Sequence, residues 1–165
     1  MTDRILFRMV ERFGSDLKRI THAFKVVGFA QTIASGEHLD YQTRDTTVLA
    51  AILHDIGIPA AKEKYGSSAG HLQEKEGPPI AREILLGEGV PKAITDRVCY
   101  LVGHHHTYTK IDGIDFQILV EADLLVNIQE GYLTHEAGQT AIRKYFRTES
   151  GRKLASTLFP TTSAD

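Results

Sequence analysis

The sequence has no tryptophan, one cysteine and no apolar run long enough to span a bilayer. A lone cysteine makes no internal disulfide, so nothing covalent staples the fold and a reducing cytoplasm suits it. The opening stretch MTDRILFRMVERFG lacks the apolar region of a signal peptide, which also favours a cytoplasmic chain. An excess of one charge is missing as well: 19 Lys and Arg stand against 21 Asp and Glu, a formal charge of −2. That balance excludes a broad groove for nucleic acid and gives no electrostatic footprint for an anionic membrane. Disorder is excluded in turn, because 42% of the residues are hydrophobic. The length of 165 residues suits one domain over 1–165. What the chain does have is histidine, eight of them, and they are clustered.

The apolar periodicity is helical almost throughout, and no alternating strand pattern competes. The expected fold is therefore all-α, a single compact bundle of about seven helices. One helix is expected over 3–13 and a second from Ser15 or Asp16 to Gly36. A third starts near Thr43 and runs into His54-Asp55, before Gly57 and Pro59 break it. A short helix over 60–65 stops at Gly66. The stretch GSSAGHLQEKEG (66–77) reads as a long connection of the kind that often carries function. Pro78-Pro79 suit the first turn of a helix that ends at Gly87 or Gly89. Pro91 opens the next, which runs into His104-His105-His106, and 116–129 is the most apolar segment. C-terminal helices occupy 131–156, an amphipathic one following Thr134, and the tail 157–165 reads as frayed.

Chemistry is sought where polar groups sit in apolar surroundings. His54-Asp55 closes the segment AAILHDIG, where an ionised carboxylate is costly unless a cation or hydrogen bonds compensate. Adjacent residues of a regular helix point about 100° apart. The pair therefore converges on one ion only at an irregular helix end, which Gly57 and Pro59 supply. The alternative stays open, with Asp55 bonded to a helix terminus and His54 a satisfied core residue. Asp123, within ILVEADLLVN, must be paired, capped or metal-bound; Glu121, two positions away, points to another face. His22 alone reads more readily as structural. The triplet 104–106 either places imidazolium at a helix C-terminus or supplies ligands to metal or phosphate. His71, with Glu74 and Glu76 nearby, reaches the same place or is a solvated loop residue. His38 and His135 lie in polar turns and receive no role.

Together these residues put His, His-Asp, a His cluster and Asp on four separate helices, and mixed N/O donors suit divalent transition ions. Cysteine ligation is excluded because Cys99 is alone. There is no HExxH, no Walker GxxxxGK[ST] and no GxGxxG.

The ordered set His22, His54-Asp55, Asp123 resembles the HD-domain superfamily of metal-dependent phosphohydrolases. GPPIAREIL (77–85) and VGHHH (102–106) resemble two further family features, and the likeness runs over about 16–130. It implies a hydrolase acting on a small phosphorylated molecule, with nucleotides among the substrate classes. It implies one divalent ion (Mn, Fe, Co, Ni, Zn or Mg) held by His22, His54, Asp55 and Asp123 with positions left for water. A second ion or the substrate would engage His104, His105, His71 and Glu76. Asp55 or Asp123 would orient the water, His104 or His105 would donate a proton, and Arg19 and Lys62 would neutralise phosphate. Two departures qualify the likeness. Ile58 stands where many members carry Lys or Glu, and no histidine immediately precedes GPPIA. Other readings are a metal- and nucleotide-binding sensory module without turnover, a di-iron oxygenase on the same scaffold, and a purely structural helical protein. The oligomeric state is open, a homodimer included.

Overall fold

A computed structural model describes residues 2–161. Among them are nine α-helices: α1 (Thr2–Phe13), α2 (Leu17–Gly36), α3 (Tyr41–Leu53), α4 (Ile58–Tyr65), α5 (Gly70–Gly87), α6 (Lys92–Val102), α7 (Ile114–Gln129), α8 (His135–Tyr145) and α9 (Glu149–Leu158). A 3-10 turn lies at Tyr108–Lys110, and the described residues contain no strand. The all-α expectation is met. No described helix is long and apolar enough to cross a membrane.

Short polar side chains open the helices by accepting otherwise orphaned amides. Asp16 accepts from Arg19 N at 3.2 Å and Asp40 from Thr43 N at 3.0 Å, so α3 begins two residues earlier than Thr43. Thr134 and Thr148 do the same for α8 and α9. Gly66, at φ +67°, closes α4 in the left-handed region that a side chain disfavours.

The segment read as a connection over 66–77 is corrected: α5 begins at Gly70 and carries Pro78 and Pro79 inside it. Its buried stripe is Gln73, Glu76, Gly77, Ala81 and Leu85, which has helical spacing but starts with polar and small residues. An apolar-pattern reading passes over such a stripe. The tail is corrected in part. Residues 157 and 158 are helical in α9, whereas 162–165 lie outside the described residues.

Helix α7 is the axis of the molecule, with every residue from Asp115 to Val126 buried. Helices α2 and α3 pack on it and on each other, α6 packs on α3, and α5, itself packed on α6, holds α4 in place. Each fully buried Leu or Ile along this axis contributes roughly 1.5–3 kcal/mol. The turn joining α3 to α4 is clamped by α5. A Cβ at Gly57 would lie 2.5 Å from the carbonyl oxygen of Gln73 and 2.7 Å from the amide of Gly77. Glycine at this position lets α5 press directly on the turn that carries Asp55.

Candidate metal centre

The end of α3 is irregular, as convergence of His54 and Asp55 requires. His54 is the C-cap, and Ile56 and Ile58 bond back three residues, to Leu53 and Asp55. His54 Nε2 and Asp55 Oδ2 consequently lie 3.7 Å apart. Helix α2 brings His22 to the same point, with Nε2 3.3 Å from His54 Nε2 and 3.8 Å from Asp55 Oδ2. Helix α7 adds Asp123, whose Oδ1 is 3.2 Å from His22 Nε2 and 3.6 Å from His54 Nε2. The turn after α6 supplies a further face, where His105 Nε2 lies 3.7 Å from Asp55 Oδ1. Two donor groups result, His22–His54–Asp123 and Asp55–His105–His106, each with ligand atoms within 4.8 Å of one another.

The ring orientations follow from the outer hydrogen bonds. His22 Nδ1 donates to Glu130 Oε2 at 2.9 Å, His54 Nδ1 to Ala51 O at 2.8 Å, and His105 Nδ1 to Val102 O at 2.8 Å. These partners only accept, so each Nδ1 carries the proton and a neutral ring turns its Nε2 lone pair toward the centre. His105 Nε2 is buried with no hydrogen-bond partner. Inward lone pairs, two buried carboxylates and an orphaned ring nitrogen fit a divalent cation, and the mixed N/O set suits Mn, Fe, Co, Ni or Zn.

Charge is finely divided here. Burial works against protonating His22, but its bond to Asp123 and the fields of Asp55, Asp123 and Glu130 outweigh it and raise its pKa to about 9. Burial wins at His54, whose pKa is lowered despite Asp55 and Asp123. Burial also opposes both carboxylates, yet His54 and His105 hold Asp55 well below the usual range, and the His22 bond with His54 does the same for Asp123. Arg19 is the nearby permanent cation, its Nη1 3.4 Å from Asp55 Oδ2. Without an ion, His22 carries a proton at neutral pH, and a metal taking its Nε2 displaces that proton. Metal binding is therefore expected to strengthen as pH rises toward about 9. Calorimetry in buffers of different ionisation enthalpy should show about one proton released per ion near neutral pH. Release of none would mean that His22 is neutral before binding.

Glu130, which the sequence reading passed over, lies two turns beyond Asp123 on the same side of α7 and is itself held by Lys25 at 2.9 Å. That spacing is the signal that could have found it. Glu130→Gln keeps the fold but loosens the ring. Weaker Mn²⁺ binding by about 10–100-fold is expected, read by calorimetry.

A cleft of about 170 Å³ opens over the donors, with Arg19, Gln73, His106, Asn127 and Tyr132 at its walls. His22, His54, Asp55, Asp123, His105 and Arg19 are thus brought together. His104 is not: its ring stacks on Tyr100 with centroids at 4.4 Å, and its Nδ1 donates to Tyr100 O at 2.7 Å. His106 takes the place expected for it, because α6 ends at Val102 and the following turn re-aims the triplet. His71 is exposed on the first turn of α5. Glu76 is buried but accepts from Tyr65 Oη at 2.9 Å and from Lys64 Nζ, tying α4 to α5. Lys62 is exposed on α4 and does not line the cleft. Glu121 points elsewhere, as read, into the junction with α9. His38 and His135 are exposed.

A family model described as HD domain matches residues 19–149, a longer stretch than the 16–130 over which the resemblance was read. The chain is also similar to the crystal structure of a predicted HD superfamily hydrolase from an uncultured Thermotogales bacterium. The TM-score is 0.70 at 25% identity, over 93% of this chain and 82% of that one. No curated protein matches the sequence.

Proposed function

The chain belongs to the HD domain family, and from that membership we propose that it is a metal-dependent phosphohydrolase acting on a small phosphorylated molecule, nucleotides among the class. The observation that carries this reading is the convergence of two His/Asp donor groups beneath one small cleft, with Arg19 at its wall. Its similarity to a protein described as an HD superfamily hydrolase supports hydrolysis as the reaction class. A divalent ion, when bound, polarises a phosphoryl oxygen and acidifies water. His22, His54 and Asp123 would hold one ion, and Asp55 with His105 and His106 a second.

The chain's own residues supply the rest. Arg19 places a guanidinium against the phosphoryl charge. Asp55, unprotonated and facing both donor groups, orients the attacking water. The water oxygen bonds to phosphorus as the ester P–O bond breaks, one water proton staying on the new phosphate oxygen and the other passing to solvent. The leaving oxygen takes a proton from solvent at the mouth of the cleft, because burial and the neighbouring His105 hold the His106 pKa down at about 4 and leave that ring neutral, as a ligand must be. Purified protein with Mn²⁺, Co²⁺, Ni²⁺ or Mg²⁺ is expected to release phosphate from a panel of nucleotides and alkyl phosphates. Full metal loading with no release from any of them would overturn the reading.

One observation favours a second reading. Ile58 is buried in the core at 1% exposure, so its position supplies no acid or cation to the cleft. A module of this kind would bind nucleotide without turnover, and calorimetry beside the activity panel separates the two.

A further inference from the structure

The cleft over the donors holds about 170 Å³, enough for a phosphoryl group. Sites that enclose a whole small molecule run to roughly 300–1,000 Å³. The remainder of a substrate must therefore leave along a wall. His106 lines the cleft and also a second groove of about 400 Å³, whose other walls are Thr107, Tyr108, Thr109, Lys144 and Tyr145. Nothing in the chemistry above uses this groove.

Its walls are fixed before any ligand arrives. The Glu74 carboxylate accepts from the His106 amide at 3.0 Å and from the Thr107 hydroxyl at 3.0 Å, pinning the near end of the loop to α5. The Tyr100 hydroxyl donates to the Lys110 carbonyl at 3.2 Å, pinning the far end to α6. Tyr108 and Tyr145 meet edge to face with ring centroids 4.6 Å apart, joining the loop to α8 in a favourable aromatic geometry. The Lys144 ammonium lies 5.0 Å from the centre of the Tyr145 ring. A preformed groove with two half-buried aromatic rings and one exposed cation suits a flat ring that carries hydrogen-bond acceptors. It suits an aliphatic chain less well, because a chain leaves the cation without a partner.

We infer that this groove is the leaving-group subsite, taking the heteroaromatic ring of a phosphate ester against Tyr108 and Tyr145 while Lys144 donates to an acceptor on the ring edge. Tyr108, Tyr145 and Lys144 thereby determine specificity. The hydrolytic half of this statement rests on the phosphohydrolase reading, whereas occupancy of the groove needs neither metal nor turnover, and the two are separable.

The test has a binding arm and an activity arm. Metal-free, isotopically labelled full-length protein is titrated with adenosine and, separately, with ribose, and backbone amide shifts are followed by NMR. Saturable shifts over 107–110 and at Tyr145 are expected with adenosine and not with ribose. Tyr145→Leu is expected to weaken adenosine binding about tenfold through lost stacking. Lys144→Ala, an exposed position with little bearing on folding, is expected to weaken it about threefold through lost polar contact. In the activity arm, both variants should lower kcat/KM for a nucleoside monophosphate several-fold more than for glycerol phosphate. Adenosine shifts confined to the Tyr132 side of the cleft, equal shifts with ribose, or equal losses on both esters would overturn the subsite. Adenosine seated in the groove of a metal-loaded protein that hydrolyses no ester would overturn the phosphohydrolase reading and leave the subsite standing.

Discussion

Asp55→Ala is expected to lower metal-dependent phosphate release by about 10³-fold, which corresponds to roughly 4 kcal/mol of lost transition-state stabilisation. Asp55 is the side chain that faces both donor groups. One oxygen lies 3.8 Å from His22 Nε2 and 3.7 Å from His54 Nε2, and the other lies 3.7 Å from His105 Nε2. It also faces Arg19 across 3.4 Å. Removing it therefore lowers the negative charge available to any ion and frees Arg19 from its resting partner. Asp55→Asn keeps the shape and loses the charge, so it should be nearly as inactive. Neither change should unfold the protein, because the side-chain hydrogen bond of Asp55 goes to Arg19 and not to the backbone. Circular dichroism checks the fold and a phosphate assay checks the loss. Retention of more than a tenth of the activity by both variants would remove Asp55 from the mechanism.

Glu121→Ala is expected to act on stability and not on chemistry. Glu121 is fully buried and accepts from Gln117 Nε2 at 2.7 Å, Arg147 N at 2.6 Å, Thr148 N at 3.0 Å and the Thr148 hydroxyl. It is thus the anchor that ties the start of α9 to α7, and Gly151 leaves it room: a Cβ there would lie 1.9 Å from Glu121 Oε2. Truncation strands several buried donors, each at a cost of about 1–3 kcal/mol before relaxation. A net loss of about 3 kcal/mol is expected, or a fall in Tm of roughly 6–12 °C for a domain of this size. The activity of the folded fraction, read well below the new Tm, should change little. A Tm within 2 °C of the wild type would mean that the α7–α9 junction does not depend on this carboxylate.

The contrast between Glu121 and Asp123 shows what the sequence could reveal. Both are acids in one apolar segment, and the period of the helix sends them to different faces. Asp123 meets two imidazoles there, while Glu121 meets the backbone of a helix distant in sequence. The first role was legible because the ordered set His22, His54-Asp55 and Asp123 resembles the HD-domain pattern, whereas burial cost alone left His22 and His54 open to a structural reading. The second was hidden, since nothing in local sequence says that residues 147 and 148 return to α7. Selection among His104, His105 and His106 was hidden too. Three neighbouring rings span most of a helical turn, and the residue that faces inward depends on where α6 stops. Lys62 and His71 failed for a related reason: proximity in sequence to the doublet does not turn a side chain toward it. The first half of α5 escaped notice because its buried stripe begins with Gln73 and Glu76, whose burial is offset by hydrogen bonds and an ion pair.

The measurement closest to the central claim is the metal content of the full chain. Protein reconstituted with Mn²⁺ and freed of loosely held ions is analysed beside His54→Ala. One or two equivalents per chain are predicted for the wild type, two if both donor groups fill, with the first lost in His54→Ala. No retained metal in the wild type, or equal retention in the variant, would contradict a metal centre built on His22, His54 and Asp123.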